Sequence, residues 1–432
     1  MRDYILVIVI VVSLPIGIFR PFYGLLFYTW ASFMYPQMLA WSFAQSIPVA
    51  KLAVISFVAG LLLNRNGDTA TLSKRETVTL IVLWGTFTLS SMFALYPEPA
   101  WDKWLDESKV IAMAIFSSAF ITNRDRMRYF LLVIALSLGF FGLKGGAFSI
   151  VTGGQNRVYG PGASILGANN GIGLALNMAL PLLWYLGRQE RGYLRLILNS
   201  MFFLSIPAIM FTYSRASVLA LGVLLPLMCF RKRGVVLIPI ITIMALAAFP
   251  YIPERWWDRE KTTVEYEQDD SALARIDIWK VSWRLALDRP TGGGFEYHSA
   301  ETFQRYFPEV WEKWGRDYNT HNAMLGILTA HGIPGLAAYL MMIGLSVLTC
   351  RSVKRSVRAR SDLKWVTDWC DMVQLSFVAF LINGMFVNME YFDLVYDLPA
   401  IAVALKVIAS RELSAFQDDY LTISAEPAGA LS

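Results

Sequence analysis

The chain has 432 residues, of which 56% are hydrophobic and only 16% are charged. Soluble globular proteins carry about 25% charged residues, so this composition argues against a soluble domain and favours a protein solvated by lipid. The formal net charge of +5 would suit a nucleic-acid ligand if the basic residues formed one patch. They are distributed over separate loops instead, and we expect membrane lipids and no nucleic acid as partners.

Apolar segments long enough to cross a bilayer recur along the chain, since about 20 helical residues span its hydrocarbon core. The candidate spans are 47–63, 78–95, 109–121, 129–150, 170–187, 195–213, 216–230, 235–251, 322–350, 371–388 and 398–410. Residues 4–35 hold either two spans or one span broken around Pro15 and Pro21. We favour one, which gives about 12 transmembrane helices in an all-α polytopic fold and a cytoplasmic N-terminus. The first apolar run lacks a following cleavage site, so we expect no cleaved signal peptide.

Basic residues are concentrated in every second loop. They are Arg65, Lys74 and Arg75; Arg124, Arg126 and Arg128; Arg188, Arg191 and Arg195; Arg231, Lys232 and Arg233; and Arg351, Lys354, Arg355, Arg358, Arg360 and Lys364. The intervening loops include acidic residues such as Glu98 and Glu390. Cytoplasmic loops carry an excess of lysine and arginine, so the basic loops are predicted to face the cytoplasm and the acidic loops the exterior.

One long external segment, 252–320, separates membrane helices in 1–251 from membrane helices in 321–410, and 411–432 forms a cytoplasmic tail. The segment contains many aromatic residues, which a disordered linker would lack. A start signal at 269–271 precedes a helix whose predicted apolar face is Leu273, Ile276, Trp279, Trp283 and Leu287. A second helical stretch covers 300–314. We therefore predict a folded helical cap, which either contributes to a site or only stabilises the bundle.

Arg215 lies in a tight turn between two apolar segments, on the predicted external side. A cation there has no orientation role, and a partly desolvated charge needs an anionic partner. The guanidinium fork suits phosphate oxygens, although an acidic residue of the cap could also pair with it.

Two further external arginines are candidates. Arg275 lies in the first turns of the predicted cap helix, where free backbone amides favour an anion. It could equally pair with Asp269, Asp270 or Asp277. Arg157 stands beside a glycine-rich turn and is the weakest of the three.

His321 is predicted to open the helix 322–350 at the external membrane face, after Asn319 and Thr320 as possible caps. A helix N-terminus lowers the proton affinity of an imidazole, and histidine is the side chain most often used as a general base. The alternative is a capping or interfacial histidine. We expect no metal and no cofactor, because the histidines do not show metal-ligand spacing and Gly292–Gly294 lacks the lysine of a phosphate-binding loop.

Several motifs taken together resemble the O-antigen ligase and polymerase superfamily. They are Tyr-Ser-Arg-Ala-Ser-Val-Leu-Ala-Leu at 213–221, Ala-Arg-Ile-Asp-Ile-Trp at 274–279, Arg-Pro-Thr-Gly-Gly-Gly-Phe at 289–295, His-Asn-Ala-Met-Leu at 321–325 and His-Gly-Ile-Pro-Gly-Leu at 331–336. The segment 20–30 is similar to the subgroup associated with exosortase systems and O-glycosylation.

The resemblance implies a metal-independent glycosyltransferase with a GT-C-like fold and one large helical periplasmic loop, in the bacterial inner membrane. Its donor would be an undecaprenyl-pyrophosphate-linked glycan, and the acceptor of a ligase is a sugar of the lipid A core. Arg215 and Arg275 would bind the pyrophosphate, with Arg157 as a positional candidate, and His321 would activate the acceptor hydroxyl. A polymerase, a protein O-oligosaccharyltransferase and a transporter of the same lipid-linked glycan remain alternatives.

Overall fold

A computed structural model shows an all-helical chain and describes residues 1–64, 69–230, 270–315 and 319–425. Its α-helices are α1 (Arg2–Phe19), α2 (Pro21–Met34), α3 (Val49–Leu63), α4 (Arg75–Met92), α5 (Pro97–Phe120), α6 (Arg124–Val151), α7 (Asn169–Gln189), α8 (Gly192–Met210), α9 (Arg215–Phe230), α10 (Asp270–Asp288), α11 (Ala300–Tyr306), α12 (Pro308–Trp314), α13 (Ala323–Ser356), α14 (Lys364–Gly384) and α15 (Asp393–Ala425). Those described ranges contain no strand, so the predicted all-α class is confirmed.

Five of the described helices, α1, α6, α8, α13 and α14, are long and apolar enough to cross a membrane, and α3 and α9 are shorter apolar helices. The chain is therefore a multi-pass membrane protein. The predicted span 235–251 and the first part of the external segment, 252–269, lie outside the described residues. The total number of spans is not fixed by the described residues.

The N-terminal apolar region forms two helices that turn at Arg20. Pro15 lies inside α1, whereas Pro21 occupies the first position of α2, where its missing N–H is not needed. The carboxylate of Asp3 at the start of α1 accepts a hydrogen bond of 2.8 Å from the backbone N–H of Ser42, which follows α2. The two helices thus form a hairpin, and the favoured interpretation of one broken span is wrong.

Contacts between distant loops gather the basic residues at one end of the bundle, here called the basic end. Arg128, at the start of α6, pairs with Glu190 after α7 through bonds of 2.5 and 2.7 Å. The guanidinium of Arg124 lies 5.1 Å from the ring centre of Trp365 in α14. The loops that the alternation of charge assigns to one side therefore do meet there.

The opposite end, here called the loop end, carries the loops 152–168, 211–214, 319–322 and 385–392. The cap helices α10 to α12 lie over this end and share a small apolar core with Ile278, Val281, Leu285, Phe303 and Phe307. Of the predicted apolar face of α10, Ile276, Trp283 and Leu287 are 39%, 52% and 68% exposed. Trp279 is partly buried, and the side chain of Leu273 lies outside the described residues. The helix packs on the cap core through a second apolar face.

Helix α13 is interrupted at Gly332, whose φ of 66° and ψ of −169° are not helical. Pro334 has no N–H, so the carbonyl of Ala330 lacks its helical donor. The N–H of Gly294 donates to that carbonyl at 2.9 Å, and Gly293 donates to Thr329 at 2.8 Å. The glycine motif after α10 is therefore a docking loop for the kink.

Glycine is required on both sides of this junction. A Cβ at Gly332 would collide with the carbonyl oxygen of Pro290, and a Cβ at Gly292 would collide with that of Ala330. On its other side the docking loop accepts a hydrogen bond of 2.8 Å from Leu95 N–H to Gly293 O. The exit of α10 is thus fixed to the segment after α4 and to the kink of α13.

Candidate functional site

His321 lies immediately before α13 with a left-handed backbone, φ 45°. The helix cap is Asn322, whose side chain accepts hydrogen bonds of 3.0 and 3.1 Å from the N–H groups of Met324 and Leu325. The expectation that Asn319 or Thr320 caps this helix is therefore wrong. With capping assigned to its neighbour, the half-buried imidazole of His321 is not needed for that role.

Thr320 fixes the backbone beside His321 from three directions. Its carbonyl accepts a hydrogen bond of 3.0 Å from the indole Nε1–H of Trp279 in α10. Its hydroxyl accepts one of 2.8 Å from the side-chain amide of Asn388 and donates one of 3.2 Å to the carbonyl of Asn322. These contacts hold a residue next to an unfavourable left-handed conformation, whose cost is of order 1–3 kcal/mol.

Arg275 lies one helical turn before Trp279, and the two side chains therefore share a face of α10. Burial, followed by the positive charge of Arg275, lowers the pKa of His321 below its ordinary value of 6.5. The imidazole is consequently neutral near pH 7 and can accept a proton. Arg275 itself is partly buried.

The acidic partners considered for Arg275 have different outcomes. Asp277 is engaged by Lys313 at 2.7 Å, by Lys280 at 3.3 Å and by the indole of Trp314 at 3.3 Å. Asp269 and the side chain of Asp270 lie outside the described residues. The hydrogen bonds around Asp277 therefore belong to the packing of α10 on α12.

Arg215 is the first residue of α9, behind a turn closed by hydroxyl groups. The hydroxyl of Thr212 accepts from the N–H of Ser214 at 3.2 Å, and the Ser214 hydroxyl accepts from the N–H of Ser217 at 3.3 Å. Tyr213 between them has a φ of 54°. This geometry places a half-buried guanidinium at a helix N-terminus, where the helix dipole also favours an anion.

Arg157 is exposed and lies beside the same turn. Its guanidinium is 6.0 Å from the ring centre of Tyr213. The loop that carries it is docked by a 2.9 Å bond from Val158 N–H to Phe211 O and by a 2.7 Å bond from the Tyr213 hydroxyl to Gly154 O. The structure therefore brings Arg157 and Arg215 to one turn, although they are far apart in sequence.

The loop 385–392 connects the Arg215 turn with the His321 segment. Its Asn388 donates to Thr320, and the sulfur of Met389 lies 3.5 Å from where a Cβ on Gly171 would be. Gly171 is in the first turn of α7, whose Asn169 donates to the carbonyl of Thr212 at 2.8 Å. Contacts at the loop end thus link the Arg215 turn with the His321 segment, and Arg275 lies in α10, whose Trp279 contacts Thr320.

Glu390 is a residue that the sequence interpretation missed. It was taken only as an acidic residue of an external loop, but its side chain is buried against Gly326 in the first turn of α13. One carboxylate oxygen lies 3.4 Å from the amide of Asn388, and the other, Oε2, has no hydrogen-bond partner among the described residues. Burial raises the pKa of Glu390 to about 7. The available signal was its apolar and aromatic neighbourhood in the sequence, Met389 and Tyr391.

The side chain of His331 is buried and engaged in packing contacts. Its Nδ1 lies 2.6 Å from the hydroxyl of Ser90, its Nε2 lies 2.8 Å from the hydroxyl of Tyr391, and its ring stacks on Phe87. These contacts bury the side chain between α4, α13 and the loop 385–392. Across the described part of the chain, no group of three or more histidine, cysteine or acidic residues is placed to hold a metal ion.

Residues 200–340 match the family model described as O-antigen ligase. The resemblance of the motifs to that superfamily is confirmed. The matched region contains Arg215, Arg275 and His321.

The N-terminal part of the chain has a different match. Residues 1–189, which include Arg157, match a family of unknown function, DUF5935. No curated protein matches the chain. The O-antigen ligase domain therefore carries three of the four candidate residues, and the fourth comes from a region whose family has no assigned role.

Proposed function

We propose that the protein is an O-antigen ligase, which transfers a glycan from undecaprenyl pyrophosphate to a sugar hydroxyl of the lipid A core. The observation that carries the proposal is the O-antigen ligase match, because it covers Arg215, Arg275 and His321 together. The geometry supports it: Arg275 lies one turn before Trp279, whose indole N–H donates to the carbonyl of Thr320 beside His321. Burial and the charge of Arg275 also lower the pKa of His321. A base and a cation are the two groups that this transfer needs.

In the proposed reaction, His321 accepts the proton of the acceptor hydroxyl as the oxygen attacks the anomeric carbon of the donor. The bond between that carbon and the pyrophosphate oxygen breaks, and undecaprenyl pyrophosphate leaves with the bonding electrons. Arg275 and Arg215 neutralise the negative charge that develops on the leaving group, through charge-assisted hydrogen bonds. Arg157 lies at the outer edge of the Arg215 turn and assists the same phosphates.

The proposed site faces the periplasm of a bacterial inner membrane. The basic end carries the loops rich in arginine and lysine, and such loops remain on the cytoplasmic side. The loop end, with the cap helices α10 to α12, is then periplasmic. This orientation supports a reaction with substrates anchored in the outer leaflet.

The same site would serve two related reactions. A polymerase would join lipid-linked repeats to each other. A protein O-oligosaccharyltransferase would transfer the glycan to a protein hydroxyl. The similarity of residues 20–30 to the exosortase-associated subgroup is the observation that favours this second alternative. A transporter would need cations along a path across the membrane, whereas Arg157, Arg215 and Arg275 are all at the loop end.

Deletion of the gene in the native cell, followed by gel analysis of lipopolysaccharide and of undecaprenyl-linked glycan, tests the proposal. A ligase deletion leaves bare lipid A core and accumulates lipid-linked polymer. Core bearing one repeat would indicate a polymerase instead. Unchanged lipopolysaccharide together with loss of a glycoprotein would identify the protein acceptor, and unchanged lipopolysaccharide and glycoproteins would contradict all three reactions.

Purified protein provides the second test. Full-length protein in lipid nanodiscs, given lipid-linked glycan and lipid A core, should transfer glycan at an unchanged rate in excess chelator. A rate that falls in chelator and returns with a divalent cation would contradict the metal-independent reaction.

A further inference from the structure

Two neighbouring apolar cavities run along α1, away from the site at Arg215 and His321. The first, of about 380 Å³, lies between α1, the end of α2 and α6, and the second, of about 260 Å³, continues between α1 and α2. Both are lined by Val9 and Trp30, so they adjoin each other. We call them together the α1 crease.

The length of the α1 crease along α1 is at least the thickness of one hydrocarbon leaflet. Its lining extends along α1 from Arg2 to Ile16, which corresponds to about 21 Å at 1.5 Å per residue. Half of a hydrocarbon core is about 15 Å thick. The lining side chains are almost all apolar, so the crease suits an extended hydrocarbon chain lying parallel to α1.

Two cationic side chains lie at the part of the crease that is nearest the loop end. Arg2 and Lys144 both line the first cavity. Arg2 is in the first turn of α1, at the loop end, and Lys144 is exposed on α6 about two turns before that helix ends. Both are therefore on the side of the crease where a lipid headgroup would lie.

Among the residues that the structure describes, neither Arg2 nor Lys144 forms an ion pair with a carboxylate. Arg2 lies over the ring of Trp41, 4.4 Å from its centre. The adjacent Asp3 is engaged by the backbone N–H groups of Ser42 and Ala44, at 2.8 and 3.3 Å. A guanidinium and an ammonium group at headgroup level are placed to pair with a lipid phosphate.

We propose that the α1 crease binds an anionic phospholipid of the loop-end leaflet, with its phosphate between Arg2 and Lys144 and one acyl chain along Val9 and Trp30. The positive charges of Arg2 and Lys144 favour an anionic headgroup, and the apolar lining favours a hydrocarbon chain about one leaflet long. The polyprenyl tail of the proposed donor is longer than the crease. The site is independent of the proposed function, since it uses α1, α2 and α6 rather than the loops around His321.

Native mass spectrometry of the full-length protein in detergent tests the proposal, with phosphatidylglycerol and zwitterionic phosphatidylethanolamine as probes. We expect phosphatidylglycerol to be retained at least tenfold better than phosphatidylethanolamine. The double variant Arg2→Gln with Lys144→Gln should lose this preference. Lys51→Gln is the matched control, because Lys51 is an exposed lysine in the first turn of α3 outside the crease, and it should retain the preference.

Val9→Trp separates the crease from its charges, because Val9 lines both cavities. It should lower phosphatidylglycerol retention at least tenfold although both cations remain, and size-exclusion profile and helical circular dichroism should match the parent protein. Equal retention of the two lipids, or unchanged retention in the correctly folded charge variant or in the correctly folded Val9→Trp variant, would overturn the proposal. Competitive displacement of phosphatidylglycerol by undecaprenyl phosphate would also overturn it, by assigning the crease to the donor tail.

Discussion

The Arg215 turn and the His321 segment are positioned in different ways. The Arg215 turn is closed by hydroxyl groups within a few residues of each other, Thr212, Ser214 and Ser217. The His321 segment depends on Trp279 and Asn388, which are 41 and 68 residues from Thr320. In this molecule the proposed anion-binding turn combines local hydroxyl contacts with contacts from Asn169 and Gly154, whereas the proposed base is positioned by distant elements.

This difference has a consequence for how substitutions act. Changes that leave Arg215 in place should disturb its turn when they remove a hydroxyl group within it or the hydrogen bond from Asn169. Changes in α10 or in the loop 385–392 should instead move His321 without touching it.

Replacement of His321 by alanine should have the largest effect, because a general base contributes about 10²- to 10⁴-fold to a rate. We expect transfer in nanodiscs to fall by about a thousandfold, with donor binding nearly unchanged. His298→Ala is the control for the loss of an imidazole, since His298 is not among the proposed site residues. If His321→Ala kept more than a tenth of the parent rate, His321 would not be the base.

Arg275→Ala and Arg215→Ala should each lower the transfer rate by about a hundredfold, which corresponds to about 2.7 kcal/mol. Lysine at either position should restore part of the rate, because it keeps the charge but loses the planar fork. Arg157→Ala should cost only a few-fold, since Arg157 is exposed. An Arg157 effect as large as that of Arg215 would show that the turn acts as one two-arginine unit.

Trp279→Phe should lower kcat by about tenfold while KM for the donor changes little. The substitution removes the indole N–H that holds the carbonyl of Thr320, and a net hydrogen bond is worth about 1 kcal/mol. Trp283→Phe is the matched control, one turn further along α10 and 52% exposed. Equal rates for both variants would mean that α10 does not position His321.

The pH dependence of kcat/KM should have an acidic limb below pH 6.5. The pKa of His321 is lowered by burial and by Arg275, so the neutral imidazole persists to a lower pH than in a free histidine. Arg275→Gln removes the repulsive charge and should move the limb upward. Measurement in a Glu390→Gln background separates this limb from Glu390, whose own pKa is raised to about 7. A limb that stays in place when Arg275 is changed would contradict their electrostatic coupling.

Glu390→Gln should raise the melting temperature at pH 8 by a few degrees and change it little at pH 5. Burial raises the folded-state pKa of Glu390 above the ordinary 4.5, so the stability contributed by its protonated form is fully present below pH 4.5 and is lost as the pH rises through about 7. A neutral amide avoids that loss. Identical melting shifts at both pH values would show that Glu390 is not protonated in the folded protein.

Local features of this molecule were predictable from its sequence. The predicted spans 47–63 and 129–150 correspond closely to α3 and α6, because a continuous apolar run has few alternatives to a membrane helix. Arg215 at the start of a helix followed from the turn residues and apolar segments around it. The prediction that His321 lies at the start of a helix was nearly right, and the residue that caps this helix is Asn322.

Features that depend on long-range packing were not predictable. The hairpin of α1 and α2 required the docking of Asp3 on residues after α2. The sequence did not predict that Ile278, Val281 and Leu285 form the buried face of α10. Both faces of this helix carry apolar residues, and only the packing partners distinguish them. Glu390 has apolar and aromatic neighbours in the sequence that are compatible with burial, but only the fold places it beneath the start of α13.

The kink at Gly332 also has a consequence for stability. The carbonyl groups of Thr329 and Ala330 receive their hydrogen bonds from Gly293 and Gly294, and an unsatisfied carbonyl in a hydrocarbon environment costs several kcal/mol. Full stability of helix α13 and folding of the preceding loop against it therefore depend on each other.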